Sequence, residues 1–245
     1  VVTTKKGKLG TPTVEYSAYA GVQTPLRGNP FNTILDTQEF ARLSLIANPN
    51  NPLFSRGIPD YLYAGPQGGG IGFEGDPAVD PALYRFDPTN PANNYLIQKV
   101  NKAGTDWFHE FFKPAMRTDH NLSVQGATEK ANYFVSLGYL NQQGTAPETY
   151  VKRYSGRVNT SFKIGRGITL GQNLNFYYRV SPGFTTDNQF GNIGELARMM
   201  PIIPVHDIMG NYGGTRMGTN VGTNTNPIAN QERSAQNLSN TWNTV

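Results

Sequence analysis

The stretch that decides the fold is RYSGRVNTSFKI (153–164), then GRG (165–167), then ITLGQNLNFYYR (168–179). In the first run Tyr154, Val158, Phe162 and Ile164 share one phase with Gly156 and Thr160. Arg153, Ser155, Arg157, Asn159, Ser161 and Lys163 hold the other. In the second run Ile168, Leu170, Leu174, Phe176 and Tyr178 stand against Thr169, Asn173, Asn175 and Arg179. A period of two residues means a strand with one apolar and one polar face, and a short Gly-containing link means a hairpin. Each run exceeds the ~5–6 residues usual in globular sheets. Each also meets the ~9–11 needed to cross a bilayer at a tilt. Long, alternating, tightly joined strands predict a transmembrane antiparallel β-barrel.

The same period appears elsewhere. Val14, Tyr16, Ala18, Ala20 and Val22 alternate with Glu15, Ser17, Tyr19 and Gly21. A strand over 118–126 puts Leu122 and Val124 opposite Asn121, Ser123 and Gln125. One over 132–140 aligns Tyr133, Val135, Leu137 and Tyr139. The links alternate in length. Short turns fall at 127–131 and 165–167, and loops at 23–117, 141–152 and 180–238. Short periplasmic turns and longer outer loops are the rule for such barrels, so the three loops are expected outside the cell.

Within the loops, helical spacing of Leu35, Phe40, Leu43 and Ile46 predicts a helix over 36–46 capped by Asp36 or Thr37. Leu96–Val100 and Trp107–Phe112 are expected as short helices, as is Ile193–Met200, stopped by Pro201. From Gly65 to Pro91 the chain is too broken by Gly and Pro to predict a packed element. Both ends of the chain fall inside alternating runs, which suggests a piece of something longer.

Composition narrows the classes. There is no cysteine among the 245 residues, hence no disulfide framework or thiolate metal site. No run of ~18 apolar residues exists, which removes transmembrane helices but not barrel strands. A mean hydropathy of −0.48 fits a barrel because half of each strand is polar. The net charge of +4 is dispersed, apart from Lys5, Lys6 and Lys8, and gives no reason to expect nucleic acid.

Sharper motifs dissolve on inspection. Gly68–Gly72 lacks the Lys-Ser/Thr that a phosphate loop requires and reads as a flexible outer loop. Asp76, Asp80 and Asp87 match no EF-hand spacing, although a Ca²⁺ site in that loop stays open. His109, His120 and His206 are scattered, so no catalytic constellation is assembled and no cofactor is expected. Trp107, Phe108, Phe111 and Phe112 fit a sugar-stacking face or, more simply, the buried side of a small helix. Arg153, Arg157, Lys163 and Arg179 fall on the polar phase and are expected to face the lumen, against a plug or along a solute path. Tyr61, Tyr63, Phe73, Met199 and Met200 are loop apolar groups. They are candidates for partner contact, the alternative being burial against one another.

Five segments in order carry a resemblance: the opening Val1–Lys8 leading into VEYS (14–17), TDWFHEFF (105–112), HNLSV (120–124), EKANYFVSLGYLN (129–141) and RYSGRVNT (153–160). Together they resemble the SusC/RagA-type TonB-dependent transporters of Bacteroidota outer membranes. The resemblance implies a barrel of about 22 strands with an N-terminal plug in its lumen. It assigns 1–10 to the end of the plug and 11–245 to the first five or six barrel strands with their loops. It also implies TonB as energy source through a region outside this chain, and a SusD-like surface lipoprotein as partner. Import of an oligosaccharide or oligopeptide across the outer membrane, without covalent chemistry, is the expected activity. A passive porin or a secreted glycan-binding β-sandwich are the alternatives.

Overall fold

The predicted hairpin forms as β7 (Tyr150–Ile164) and β8 (Ile168–Pro182), closed by the pair Ile164↔Ile168 in a computed structural model of the chain. Gly165 and Gly167 flank the turn with φ of 63° and 115°, the left-handed region that side chains disfavour. The structure describes residues 10–28, 36–165, 167–182, 192–215, 222, 224–234 and 238–244. Residues 1–9, which hold most of the expected plug end, lie outside them, as do Leu35 and Arg166.

Four further strands extend the hairpin: β1 (Gly10–Gln23), β5 (Ala115–Ala127), β6 (Ala131–Gln143) and β9 (Leu238–Thr244). They form one antiparallel sheet in the order β1-β5-β6-β7-β8-β9. The sheet is an unclosed portion of barrel wall, with β1 and β9 each paired on one side among the described residues. β5 and β6 are joined by a tight turn in which Thr128 N donates to the Ala131 carbonyl at 2.7 Å.

Exposure on this sheet runs opposite to that of a soluble protein. The apolar phase is the open one: Tyr16 is 62% exposed, Leu137 56% and Phe162 48%. On the polar phase Ser123 and Asn159 are buried, at 9% and 6%. Such a sheet is stable only where its apolar face meets something other than water, and lipid is the solvent that fits.

Register then gives the depth. Ala18, His120, Tyr139, Tyr154, Tyr178 and Trp242 are successive cross-strand partners, so they lie in one row on the apolar face. Their rings contact in sequence, with centroids 6.3 Å apart for His120–Tyr139, 5.0 Å for Tyr139–Tyr154, 6.4 Å for Tyr154–Tyr178 and 4.2 Å for Tyr178–Trp242. Tyr16 joins from the next row, its hydroxyl 2.7 Å from His120 Nδ1. From Tyr154 to Ile164 is 164 − 154 = 10 residues. At ~3.4 Å each this is about 34 Å of strand. A ~40° tilt reduces that to about 26 Å, against a hydrophobic band of ~25 Å. The aromatic row therefore marks one membrane interface, and Ile164 and Ile168 stand near the other.

The long connections are folded, contrary to the loop-like reading. Residues 26–112 and 185–233 form a separate compact unit. It holds α1 (Thr37–Ala47), α2 (Trp107–Phe111), α3 (Asn192–Arg198), α4 (Pro227–Ser234) and a small sheet. That sheet runs β3-β2-β4, from β2 (Tyr61–Gly65), β3 (Gly68–Gly72) and β4 (Leu96–Lys99). Two expectations are corrected here. Leu96–Val100 supplies a strand and not a helix, because pairing with β2 buries Ile97 completely. The Gly-rich 68–72 is a strand and not a flexible loop. A Cβ on Gly65 would lie 2.5 Å from the Tyr95 ring, and one on Gly70 2.9 Å from the Tyr63 hydroxyl, so glycine lets both rings lie over the hairpin. Helices α1, α2 and α3 match their expected positions, α1 with Asp36 accepting from Gln38 N and Glu39 N, whereas no helix was expected at α4.

The alternation sets a sharp contrast between neighbours on β8. Leu174, on the open apolar face, and Asn173, on the polar face, are both exposed. Leu174→Arg is expected to lower the stability of the barrel in lipid vesicles by about 2–4 kcal/mol, and Asn173→Arg by less than ~1 kcal/mol. Equal losses in denaturant titrations would contradict the facing.

Candidate functional site

Two surfaces carry the sequence candidates. On the polar face of the sheet, Arg153, Arg157, Lys163 and Arg179 all occupy the phase opposite the aromatic row. Arg153 and Arg179 are direct cross-strand partners, and Arg157 stands two rows along the same strand, opposite Asn175. A hollow of about 420 Å³ lies beside Arg153 and Arg157, lined also by Asn121, Ser155, Asn175 and Tyr177 but not by Arg179. Lys163 is remote from that hollow, near the turn end, and lines another of about 410 Å³ with Lys130 and Asn132. None of the four makes an ion pair among the described residues, whereas Arg117 has Asp119 at 3.7 Å.

In the insertion unit the apolar candidates divide. Met199 is 6% exposed and belongs to the core with Ile202, Ile203, Ile97 and Phe111. Burial removes it as a contact residue. Tyr61, Tyr63, Phe73 and Met200 are half-buried. Tyr63 stacks on Tyr95 at 5.9 Å, beside a hollow of about 500 Å³. Arg56 lies over the Phe73 ring at 4.3 Å. The Tyr61 hydroxyl donates to Glu74 at 3.1 Å, and burial raises its pKa first, with Glu74 second.

The core is shared by both insertions through buried polar ties. Gln98, fully buried, donates to the Gly214 carbonyl at 2.9 Å and accepts from Gly214 N at 3.1 Å. Thr105 Oγ1 donates to the Ile203 carbonyl at 2.7 Å, and Trp107 Nε1 to the Met200 carbonyl at 3.2 Å. The Trp107–Phe111 aromatics are thus the buried side of α2, with Trp107, Phe108 and Phe111 inside.

Neither the acids nor the histidines assemble a reactive centre among the described residues. Asp76 accepts from Phe73 N, Asp80 from Ala82 N, and Asp87 from Thr89 N, Thr89 Oγ1 and Asn90 N. Each carboxylate is engaged with its own loop. His109 pairs with Asp106, the N-cap of α2, and His206 packs on Tyr212. Asp207, next to His206, instead accepts from Tyr84 at 2.5 Å, with Asn211 Nδ2 donating to the Tyr84 hydroxyl at 2.7 Å. Burial first, and Asp207 second, push the Tyr84 phenol up to about 12. Sequence reading missed this trio because 123 residues separate Tyr84 from Asp207. It also missed His120 as part of the aromatic row, which only the register shows.

An exposed apolar sheet face of bilayer height, backed by a polar face, defines the class as a membrane-spanning β-barrel protein. Comparison with known proteins agrees. No family model matches the chain. It is 30% identical over 128 residues to TonB-dependent receptor P26 of Formosa agariphila, covering 51% of the chain and 12% of that protein. It is 37% identical over 76 residues to TonB-dependent receptor SusC of Bacteroides thetaiotaomicron, covering 31% of the chain and 8% of SusC. Among solved structures, the RagAB peptide importer in its closed-closed state superposes with a TM-score of 0.61 at 20% identity. That match covers 92% of this chain and 25% of the other. The chain thus spans about a tenth of these curated relatives and a quarter of the solved one. Over parts of its length the chain resembles TonB-dependent receptors in sequence, and over most of it the RagAB importer in fold.

The insertion unit has an acid-sensitive element. Hydrogen bonds from the Thr89 hydroxyl and from Asn90 and Thr89 N–H groups hold Asp87 down at about 2. A depressed carboxylate stabilises the folded state above its unfolded value of ~3.9 and loses that contribution as pH falls through the folded value. Between pH 4 and 2, unfolding of this unit should therefore become easier. Asp87→Ala should flatten that limb while leaving the profile above pH 5 parallel to the parent.

Proposed function

We propose that this chain forms part of the wall and outer surface of a TonB-dependent importer in the outer membrane of a Gram-negative, Bacteroidota-like bacterium. The observation that carries the reading is the inverted sheet, with apolar side chains open and Arg153, Arg157 and Arg179 on the opposite face outside any ion pair among the described residues. Residues 11–245 supply barrel strands and insertions, and 1–10 the end of a plug. The polar face lines the lumen, where Arg153, Arg157, Lys163 and Arg179 meet plug or solute. The cargo is an oligosaccharide or an oligopeptide, admitted by gated passage without covalent chemistry. Likeness in fold to the RagAB peptide importer supports the oligopeptide.

The insertion unit is the docking surface for a SusD-like lipoprotein in this reading. Both insertions leave the sheet at its aromatic end, from the register pairs Gln23↔Ala115 and Pro182↔Leu238. Parity puts that end outside the cell. A rigid, independently packed platform suits a partner better than mobile tips do, because less chain is ordered on binding. Tyr61, Tyr63, Phe73 and Met200 are the contacts proposed, Met199 serving the core beneath.

Affinity purification of the full-length transporter under mild detergent tests the pairing. The lipoprotein should co-purify and be lost from a variant with 185–233 trimmed. Intact transporter recovered alone, with trimming without effect, would refute the docking role. Uptake of fluorescent oligomers should stop on TonB depletion. Unchanged uptake would favour a passive porin.

Core integrity of the platform is a separate expectation. Ile97→Ala deletes a fully buried side chain and should cost about 2–4 kcal/mol. It should open the insertions to limited proteolysis while leaving barrel heat-modifiability on gels intact.

A further inference from the structure

Three arginines on the polar face form a site that nothing in the sheet neutralises. Arg153 and Arg179 are direct cross-strand partners, a relation that brings Cβ atoms to about 4.5–5.5 Å and destabilises a pair of like charges. Arg157 adds a second cost: its Nε is buried and has no hydrogen-bond partner among the described residues. A buried donor left unmade weakens a fold unless something outside it accepts. The hollow beside Arg153 and Arg157 offers Asn121, Ser155, Asn175 and Tyr177 as neutral donors and acceptors, and no acid, and Arg179 reaches the site as the cross-strand partner of Arg153.

The nearest acids on this face cannot serve. Asp119 shares the register row of Arg153 but lies next to Arg117, its own partner at 3.7 Å. Glu15 shares the row of Arg157 through Ser123 and Ser136, three strand spacings away. At ~4.8 Å per spacing that is about 14 Å, beyond the ~8 Å over which charges act through physiological salt.

We propose that Arg153, Arg157 and Arg179 form a carboxylate-binding station on the barrel wall. Guanidinium forks match carboxylate geometry in pairs of N–H···O bonds. Adjacent forks from β7 and β8 hold one such group, and Arg157 finds its missing acceptor on the same ligand or its neighbour. Two sources carry that chemistry: an acidic side chain of a lumenal plug, and an acidic solute such as a uronic-acid oligomer or an acidic peptide. The station rests on the lumen reading proposed above.

The test uses the purified full-length transporter and the charge-retaining double variant R153K/R179K, which keeps two cations but loses both forks, alongside R153Q/R179Q. One arm measures the urea midpoint for plug release without solute. The other measures Kd for fluorescent hexaglutamate and hexagalacturonate. A plug source predicts that both variants lower the midpoint with oligomer Kd unchanged. A solute source predicts oligomer binding weakened at least about tenfold, with the midpoint unchanged. Either result supports the station and names its occupant. If neither quantity moves, while Ser155→Cys is labelled by a bilayer-impermeant maleimide, the station is overturned and the lumen reading stands. If that cysteine is shielded from water, the lumen reading fails and the station with it.

Discussion

A bilayer offers no hydrogen-bond partner to a peptide group, so each strand that crosses it must find its partners in neighbouring strands. The long ladders of this sheet answer that constraint. β6 and β7 are in register from Ala131↔Phe162 to Gln143↔Tyr150, and β7 and β8 from Lys152↔Val180 to Ile164↔Ile168. Once register is fixed, the pleat assigns every side chain to one face of the sheet or the other. The aromatic row, the arginine hollow and the sign of the exposure pattern are all consequences of that assignment.

The ladder also explains how large insertions are tolerated. β1 pairs with β5 from Tyr16↔Leu122 to Gln23↔Ala115, although the whole of 26–112 intervenes. Closing a longer connection costs only about 0.6 kcal/mol per doubling of length, and the insertions recover it through a core of their own. Ile97, Phe111, Ile202 and Ile203 are buried together, and Gln98 clasps the Gly214 backbone. The insertion unit is therefore a domain in the physical sense, and a surface able to act without first being ordered.

Much of the barrel wall was legible because period two over a dozen residues has one explanation. The Tyr154–Ile164 and Ile168–Tyr178 phases needed no tertiary information, and the Gly165–Gly167 link stated its own geometry. The insertions were legible only where local rules dominate, as in the Asp36 cap of α1 and the aromatic cluster of α2. Leu96–Lys99 is too short for its period to separate strand from helix, and its pairing with β2 decided the matter. Gly68–Gly72 has poor strand propensity, and the Tyr63 ring over Gly70 and Val79 against Gly72 supply the reason for two of its glycines. Met199 was judged by hydrophobicity alone, which does not separate core from contact surface. The arginine cluster was half visible: phase put four cations on one face, but only register made Arg153 and Arg179 partners.

The central claim is that the two faces of this sheet meet different solvents. Spin labels placed singly at residues 173, 174, 175 and 176 of the full-length protein in bilayers address it directly. Relaxation by oxygen, which concentrates in lipid, should peak at 174 and 176. Relaxation by a water-soluble nickel chelate should peak at 173 and 175. An in-phase response at all four positions, with the chelate reaching each equally, would contradict the account.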